Sequence, residues 1–255
     1  MVLDGLEKHV EKVGRAGRKS DKINFIRYAD DFVVTAISKD VLDNKVKPAI
    51  VSFLAERGLE LSLEKTRIVH IKDGFDFLGF NLRKYNGKML IKPAKKNVLY
   101  FLEKIRALIK TNRTSSTDIL IRQLNTRIRG WANFYRHVVS KRTFNYVDHQ
   151  IFESIAKWTA RRHPNKFSEW LRRKYFRSEK LRNWIFSTKV KSKTGEIIHL
   201  DLFRASSIPI QRHVKIRASA NPFEPAERSY FVQRKNRHKI NSRDVGVEKR
   251  ELPRF

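Results

Sequence analysis

Cysteine is absent from this chain of 255 residues, which excludes disulfide bonds and cysteine-ligated zinc sites and fits a reducing cytosol. No apolar run approaches the ~20 residues that a membrane-spanning helix needs. The N-terminal segment from Met1 to Val10 is too short and too mixed in polarity for a signal peptide. The sequence therefore predicts a protein that is neither secreted nor in contact with a membrane.

Acidic residues are scarce relative to basic ones. The chain has 26 Asp and Glu against 56 Lys and Arg, a net charge of +30. An excess of this size points to a polyanionic partner, most often nucleic acid. Residues 1–90 hold 17 basic and 13 acidic side chains, whereas residues 91–255 hold 39 basic and 13 acidic ones. The binding surface is therefore expected mostly after residue 90.

Two adjacent carboxylates, Asp30 and Asp31, lie in the middle of the apolar stretch from Ile23 to Ile37. β-branched and aromatic residues on both sides predict two short strands joined by a tight turn. Paired carboxylates suit Mg²⁺, which takes one or two of them together with phosphate oxygens, as a polymerase site requires. The alternative for an isolated Asp-Asp pair is a solvated turn with no metal.

The first 90 residues mix helical and strand patterns. Apolar spacing predicts a helix over 41–57 that Gly58 ends. Asp73-Gly74 and Asn86-Gly87 have the composition of hairpin turns. Together these signals predict an α+β unit with an antiparallel sheet, whose further strands fall at 59–63, 67–71 and 75–82.

From Pro93 onward the apolar residues recur at helical spacing. A hairpin is predicted over 185–202, with its turn at Lys193 to Glu196. Beyond Asn221 the chain is polar and basic, and we expect it to be extended or disordered without a ligand. The predicted helices, which form a small bundle, are 98–109, 117–135, 143–160 and 170–176.

Four local motifs occur in a fixed order, and their order and spacing are more specific than any one of them. The motifs are Tyr28-Ala29-Asp30-Asp31, the stretch from Gly58 to Thr66, Phe75-Asp76-Phe77-Leu78-Gly79-Phe80, and the stretch from Leu124 to Arg136. In this order they resemble the group II intron-encoded reverse transcriptases, or maturases, from about residue 3 to about residue 230.

The resemblance implies an RNA-directed DNA polymerase that also assists intron splicing. It implies a partial palm at 1–90, an α-helical thumb or maturase-specific domain at 91–184, and a basic, partly extended, DNA-binding-like region at 185–255. It also implies Mg²⁺ as cofactor, group II intron RNA and a DNA target or primer as partners, and a location in the bacterial cytoplasm or an organelle.

Individual roles are carried over by the same resemblance. Asp30 would be the catalytic metal ligand, with Asp31 as its companion carboxylate. The residues expected to position primer or substrate are Tyr28, Ala29, Lys65, Phe77, Leu78 and Gly79. A solvated lysine at 65 and ordinary core packing at 75–80 are the alternatives.

A basic stripe is predicted on the second helix of the bundle, because Arg122, Arg129 and Arg136 recur every seven residues and share a face. Trp131 and Tyr135 fall closer to the core side. Such a stripe can follow a phosphate backbone, and the alternative is a solvated charged face. Further RNA-binding candidates are Arg161, Arg162, Lys166, Arg172 and Arg173.

The sequence departs from the family pattern before its Asp-Asp motif. The family palm has another metal-binding Asp on an earlier strand, a Gln-Gly segment and a fingers domain, and these have no counterpart in this sequence. We therefore expect an incomplete metal site, and RNA binding by this chain without polymerisation. Two alternatives are a stand-alone RNA-binding splicing factor and the C-terminal half of a split polymerase that needs an N-terminal partner.

Overall fold

A computed structural model of the protein describes residues 3–16, 21–62, 64–180, 182–192, 194–211, 213, 215–217 and 220–243. The chain divides into two compact units, Met1–Gln211 and Arg212–Phe255. Helices and antiparallel sheets are both present, so the predicted α+β class is confirmed. No helix in the described ranges is both long enough and apolar enough to cross a membrane.

The N-terminal part of the first unit surrounds a small core of its own. A helix, α1 (Leu6–Ala16), packs against a second helical segment, which contains a π-helical stretch and ends at Ala55, two residues before the predicted end; a turn that includes Gly58 at a φ of +66° follows it. The predicted hairpin is confirmed as β1 (Asn24–Tyr28) and β2 (Asp31–Thr35). The second helical segment comprises α2 (Lys39–Val41), the π-helix Leu42–Val46 and α3 (Lys47–Ala55).

The next sheet has three antiparallel strands, β3 (Phe75–Phe77), β4 (Phe80–Tyr85) and β5 (Lys88–Pro93). The predicted single strand over 75–82 is wrong, because Leu78 and Gly79 form a two-residue turn with positive φ at both positions. Asn86-Gly87 forms a turn of the same kind, as predicted.

Two predicted strands before this sheet are not formed. Residues 59–62 and 66–70 have no regular structure, and Leu63 lies outside the described residues. The chain makes a local turn directly after residues 66–70, since the amides of Asp73 and Gly74 both donate to the His70 carbonyl. The predicted Asp73-Gly74 turn therefore does not join two strands. β3 pairs only with residues 80–82 of β4, and beyond them the Lys84 amide of β4 donates to the Ile71 carbonyl (2.9 Å), so the end of the 67–71 segment contacts the sheet without forming a strand.

The predicted bundle is confirmed as four helices, α4 (Lys95–Thr111), α5 (Thr117–Tyr135), α6 (Lys141–Arg162) and α7 (Ser168–Tyr175). Their apolar stripes meet in one core, as the spacing of three and four requires. Phe176, which we placed on the fourth helix, instead begins a strand, because its backbone pairs with Phe186.

The bundle is followed by a third antiparallel sheet, β6 (Phe176–Glu179), β7 (Arg182–Lys191) and β8 (Ile197–Asp201). The predicted hairpin corresponds to β7 and β8, although Lys193 of its turn lies outside the described residues. β6 was not predicted.

After β8 the chain returns across the bundle, where polar side chains hold it. Asn125 on α5 donates to the Asp201 carbonyl (2.9 Å) and accepts from the Phe203 amide (2.7 Å). Asp148 on α6 accepts from the amides of Ala205 (2.7 Å) and Ser206 (3.0 Å). These bonds attach the third sheet and the return segment to the helices.

The second unit contains a 3₁₀ turn, Pro225–Glu227, and α8 (Arg228–Arg243). The expectation of an extended tail beyond Asn221 is therefore wrong as far as Arg243, and residues 244–255 lie outside the described residues. Pro225 begins the 3₁₀ turn, where its fixed φ is favourable. The Arg217 guanidinium pairs with the Glu227 carboxylate (2.5 Å). The backbone amide of Arg217 donates a hydrogen bond to the Tyr230 hydroxyl oxygen (3.1 Å).

Candidate metal and nucleic-acid sites

The Asp-Asp turn is built by the β1–β2 hairpin. Tyr28 and Asp31 form the last cross-strand pair, so Ala29 and Asp30 make a two-residue loop with φ of +54° at Ala29. Both carboxylates are exposed, and neither has an ion-pair or hydrogen-bond partner among the described residues. Arg27, one strand position away, is instead paired with Asp4 (3.1 Å).

The two carboxylates fit part of a Mg²⁺ site. Both are hard oxygen ligands of the kind that Mg²⁺ takes together with water and phosphate. Within the described ranges, however, no group of three or more His, Cys, Asp or Glu side chains is placed to hold a metal ion. Asp30 and Asp31 can therefore supply two ligand positions, and the remaining ones must come from elsewhere.

The Phe77-Leu78-Gly79-Phe80 turn lies against the helical bundle. The Gly79 carbonyl accepts from the Ala94 amide (3.0 Å) and the Tyr135 hydroxyl (3.1 Å). A Cβ at residue 79 would lie 3.0 Å from Asn97 Nδ2, so only glycine fits without a shift. Burial raises the pKa of the Tyr135 hydroxyl, which keeps it protonated as a donor. The close approach at Gly79 is thus to the protein's own helices.

The aromatic residues of this turn take part in packing, and Leu78 is left partly exposed at a φ of +49°. Phe80 stacks on Phe134 (5.2 Å between ring centres) and meets Tyr135 edge-on. An apolar recess of about 220 Å³ opens beside the turn, lined by Phe77, Leu78, Phe80, Leu82, Ile91 and Val138. Lys65 lies apart from regular structure, with an exposed side chain.

The three arginines of the predicted stripe on α5 differ in their surroundings. Arg122 is exposed. Arg129 lies over the Phe203 ring (4.7 Å), and Arg136 is half-buried and donates to Gln211 (2.5 Å). Trp131 and Tyr135 lie on the core side of α5 as predicted, since Trp131 stacks on Phe101 and Tyr135 is buried. Two of the three guanidinium groups therefore also hold the return segment.

The remaining basic candidates cluster at the end of α6 and on α7. Arg161 is exposed, whereas Arg162 donates to the Ser115 carbonyl (2.6 Å) and lies over Trp158. Lys166 lies near the Trp170 ring (5.5 Å), and Arg173 pairs with Glu169 (2.7 Å). Arg172 lies 5.3 Å from the centre of the Trp184 ring.

His163 follows α6 and is engaged within the fold. Its Nε2 lies 2.7 Å from the Tyr175 hydroxyl oxygen. Burial, followed by the charges of Lys174, Arg162 and Lys166, lowers the pKa of the imidazole. The neutral ring therefore serves packing and hydrogen bonding within the fold.

A concave basic surface that was not predicted from the sequence lies between α7 and the third sheet. Its volume is about 410 Å³. The available sequence signal was the run Trp184-Ile185-Phe186, since three large apolar residues in succession break the alternation of a strand and suggest a bulge. The surface is lined by Arg172, Arg173, Phe176, Arg177, Ser178, Asn183 and Trp184.

Two family models match the chain, in the order of the motifs. Residues 1–82 match "Reverse transcriptase (RNA-dependent DNA polymerase)", and residues 98–176 match "Group II intron, maturase-specific domain". The first match contains the Asp-Asp turn and the Phe77–Phe80 turn. The second covers most of the helical bundle and ends at the first residue of β6.

Curated relatives agree with both matches. The chain is 25% identical over 177 residues to "Group II intron-encoded protein LtrA" of Lactococcus lactis subsp. cremoris and, at the same identity, to that of strain MG1363. The similarity covers 58% of this chain but 30% of each relative, so the chain spans well under two thirds of the relatives' length. The two family matches, their order and these relatives together show that the chain is similar to group II intron-encoded reverse transcriptases and maturases over residues 1–82 and 98–176.

Proposed function

We propose that this chain provides part of the palm and the thumb of a group II intron reverse transcriptase, and that its basic helical region binds intron RNA. The observation that carries the proposal is the maturase-specific match over α4 to α7, in the part of the chain where basic residues outnumber acidic ones by 39 to 13. The alternative of a solvated charged face does not account for an excess of that size.

The Asp-Asp turn has the composition of a polymerase metal site. Asp30 and Asp31 would hold Mg²⁺, which when bound activates the primer 3′-hydroxyl and stabilises the leaving pyrophosphate. Their lack of partners within the described residues leaves both carboxylates free for a cation. The Phe77–Phe80 turn, with the partly exposed Leu78, is suited to contact a primer, and Lys65 can offer a point charge to phosphate.

Five of the predicted RNA-binding residues fall into two groups. Arg122 and Arg161 are exposed and can contact phosphates directly. Arg129, Arg136 and Arg162 also hold neighbouring segments, so they contribute positive potential and support the fold at once. Replacement of the first group therefore isolates RNA binding from folding better than replacement of the second.

RNA affinity as a function of salt tests this proposal. We expect the double variant Arg122→Gln and Arg161→Gln to bind a fluorescently labelled group II intron RNA about tenfold more weakly and to lower the salt slope by about one for each lost phosphate contact. Lys8→Gln, an exposed lysine on α1, is the matched control and should bind as the wild type does. An unchanged affinity and slope in the double variant would show that these residues do not form the binding face.

Primer extension with Mg²⁺ tests the palm assignment. We expect the 255-residue chain alone to extend no primer, because two carboxylates complete no metal site. Addition of a family fingers-and-palm segment should restore an extension that Asp30→Asn abolishes. Robust Asp30-dependent synthesis by the chain alone would contradict the proposed inactivity, and a restored extension that survives Asp30→Asn would contradict the catalytic assignment.

A further inference from the structure

A β-bulge interrupts the pairing of β6 with β7. Arg177 pairs with Ile185 and Glu179 pairs with Arg182, so Ser178 alone lies opposite two residues, Asn183 and Trp184. Trp184 adopts a φ of +60°, a left-handed conformation that is unfavourable for a bulky side chain. Bulges of this kind redirect a side chain and are over-represented beside functional sites.

The bulge places Trp184 at the edge of the concave basic surface. The indole remains 50% exposed although Phe176 and Phe152 support it at ring-centre distances of 6.1 and 6.4 Å. An aromatic ring that is backed by the core and open to solvent is the kind of platform on which nucleic-acid bases stack.

The charges around the indole are not equivalent. Arg177 is neutralised by Asp201 (2.5 Å) and Glu179 (2.8 Å), and Arg173 pairs with Glu169 on the exposed side of α7. Arg172 has no carboxylate partner among the described residues, and its guanidinium lies 5.3 Å from the Trp184 ring centre. Within the described part of the chain, a guanidinium without a carboxylate partner thus lies over the exposed ring, in cation–π contact with it.

Asn183 adds a polar group to the same recess. Its amide carries both donors and acceptors, which match the edge of any base. A nucleotide whose base is not paired is recognised by groups of these three kinds: an aromatic ring, a guanidinium and an amide, here those of Trp184, Arg172 and Asn183. In a duplex the bases are already stacked on one another and are not available to the indole.

We propose that this surface, defined by Arg172, Asn183 and Trp184, binds an unpaired nucleotide of single-stranded RNA. The base stacks on Trp184, Arg172 holds the adjacent phosphate, and Asn183 contacts the base edge. The inference rests on the proposed RNA-binding function and deepens it. It also extends the RNA-binding surface beyond the matched maturase-specific domain, which ends at residue 176.

Fluorescence anisotropy with three probes tests the proposal on the full chain. The probes are a short unstructured RNA, DNA of the same sequence, and an RNA hairpin with a fully paired stem. We expect Trp184→Ala to weaken binding of the unstructured RNA about tenfold, the usual size of one lost stacking contact, and to leave the paired RNA unchanged. Trp184→Phe retains a ring and should stay within about threefold of the wild type.

Two further variants separate stacking from other effects. Arg172→Gln should weaken binding of the unstructured RNA and lower its salt slope by about one. Tyr100→Ala removes another exposed aromatic that has a lysine, Lys104, 4.6 Å from its ring, and should change nothing. Circular dichroism and thermal melting of each variant establish that the fold is retained.

The outcomes distinguish this inference from the function on which it rests. If the wild type binds none of the RNA probes, the proposed RNA-binding function fails. If it binds them but Trp184→Ala and Arg172→Gln leave the preference for unpaired RNA intact, only the nucleotide site fails. Equal losses in Tyr100→Ala, or a loss confined to the DNA probe, would also overturn the site as proposed.

Discussion

Ala29, Leu78 and Trp184 share a left-handed backbone conformation, with φ of +54°, +49° and +60°. None of them is a residue type that favours this region, which costs an ordinary L-residue roughly 1–2 kcal/mol. Each lies at a different candidate site, namely the Asp-Asp turn, the turn beside the apolar recess and the basic surface. Strain held at such places is a common mark of function, and it supports the three sites independently of the family match.

Replacement of Ala29 by glycine should stabilise the protein, because glycine adopts the left-handed region without a steric cost. Allowing for the greater flexibility of the unfolded glycine variant, we expect a gain of about 0.5–1 kcal/mol in the free energy of unfolding. Ala55→Gly at the end of α3 should instead lose about 0.5–1 kcal/mol. Urea unfolding of both variants measures the difference, and a loss of stability in Ala29→Gly would contradict the assigned strain.

Asp201 links stability to pH through Arg177. Burial by itself would raise the pKa of Asp201, but hydrogen bonds from Arg177 and Ser187 and the charge of Arg177 hold it below its ordinary value. Because the folded pKa is lower than the unfolded one, the contribution is complete above the unfolded pKa of about 3.9 and is lost as the pH falls through the folded pKa.

Asp201→Asn should therefore lower the free energy of unfolding by about 1–2 kcal/mol at neutral pH. The gap between wild type and variant should close progressively below about pH 4. Unfolding curves from pH 7 to acid pH measure it. A gap that is independent of pH would mean that the Arg177–Asp201 pair contributes no charge-dependent stability.

At the scale of whole elements, sequence periodicity correctly predicted the helices and the hairpin whose formation depends on residues close together in the chain. The four helices of the bundle followed from apolar residues at three- and four-residue spacing, and the β1–β2 hairpin from β-branched flanks around a turn. β6 and the irregular 66–70 segment could not be predicted in the same way, since strand formation depends on whether a distant edge is free. Phe176 looks helical by spacing, yet its pairing with Phe186 decides its conformation.

The candidate site was predictable to a similar degree. The Asp-Asp turn and the basic helices could be found from residue type and spacing alone. The contacts of Arg129 and Arg136 with the 202–211 segment could not be predicted, because their partners Phe203 and Gln211 lie more than 70 positions away along the chain. The bulge that exposes Trp184 depends in the same way on the register of β6 with β7.

The return segment after β8 depends on Asp148, whose carboxylate accepts two backbone amides and is only 11% exposed. Asp148→Ala would leave both amides without these partners, and we expect it to cost about 2–3 kcal/mol of unfolding free energy. Glu153→Ala on the same helix removes an exposed carboxylate paired with His149 and should change stability by less than about 0.5 kcal/mol. Urea unfolding compares them, and equal losses would show that Asp148 has no special role in holding the segment.

The whole molecule is dominated by its charge. A net charge of +30 on 255 residues produces self-repulsion in the free protein, and the same charge attracts a polyanion. The exposed ion pairs do little to offset it, because such pairs contribute little each and are screened by salt. Added salt should therefore raise the stability of the free protein and lower its affinity for a polyanion.

We expect the free protein to become more stable as sodium chloride increases through the physiological range, because screening weakens repulsion among its cationic side chains. Its affinity for intron RNA should fall over the same range, by about three orders of magnitude if some six phosphates are contacted. Thermal melting and anisotropy titrations on the same samples measure both trends, and the Arg122→Gln, Arg161→Gln double variant should show each of them more weakly. A melting temperature that falls with salt would mean that attractive ion pairs outweigh the repulsion, and the excess charge would then need a structural explanation rather than a polyanionic partner.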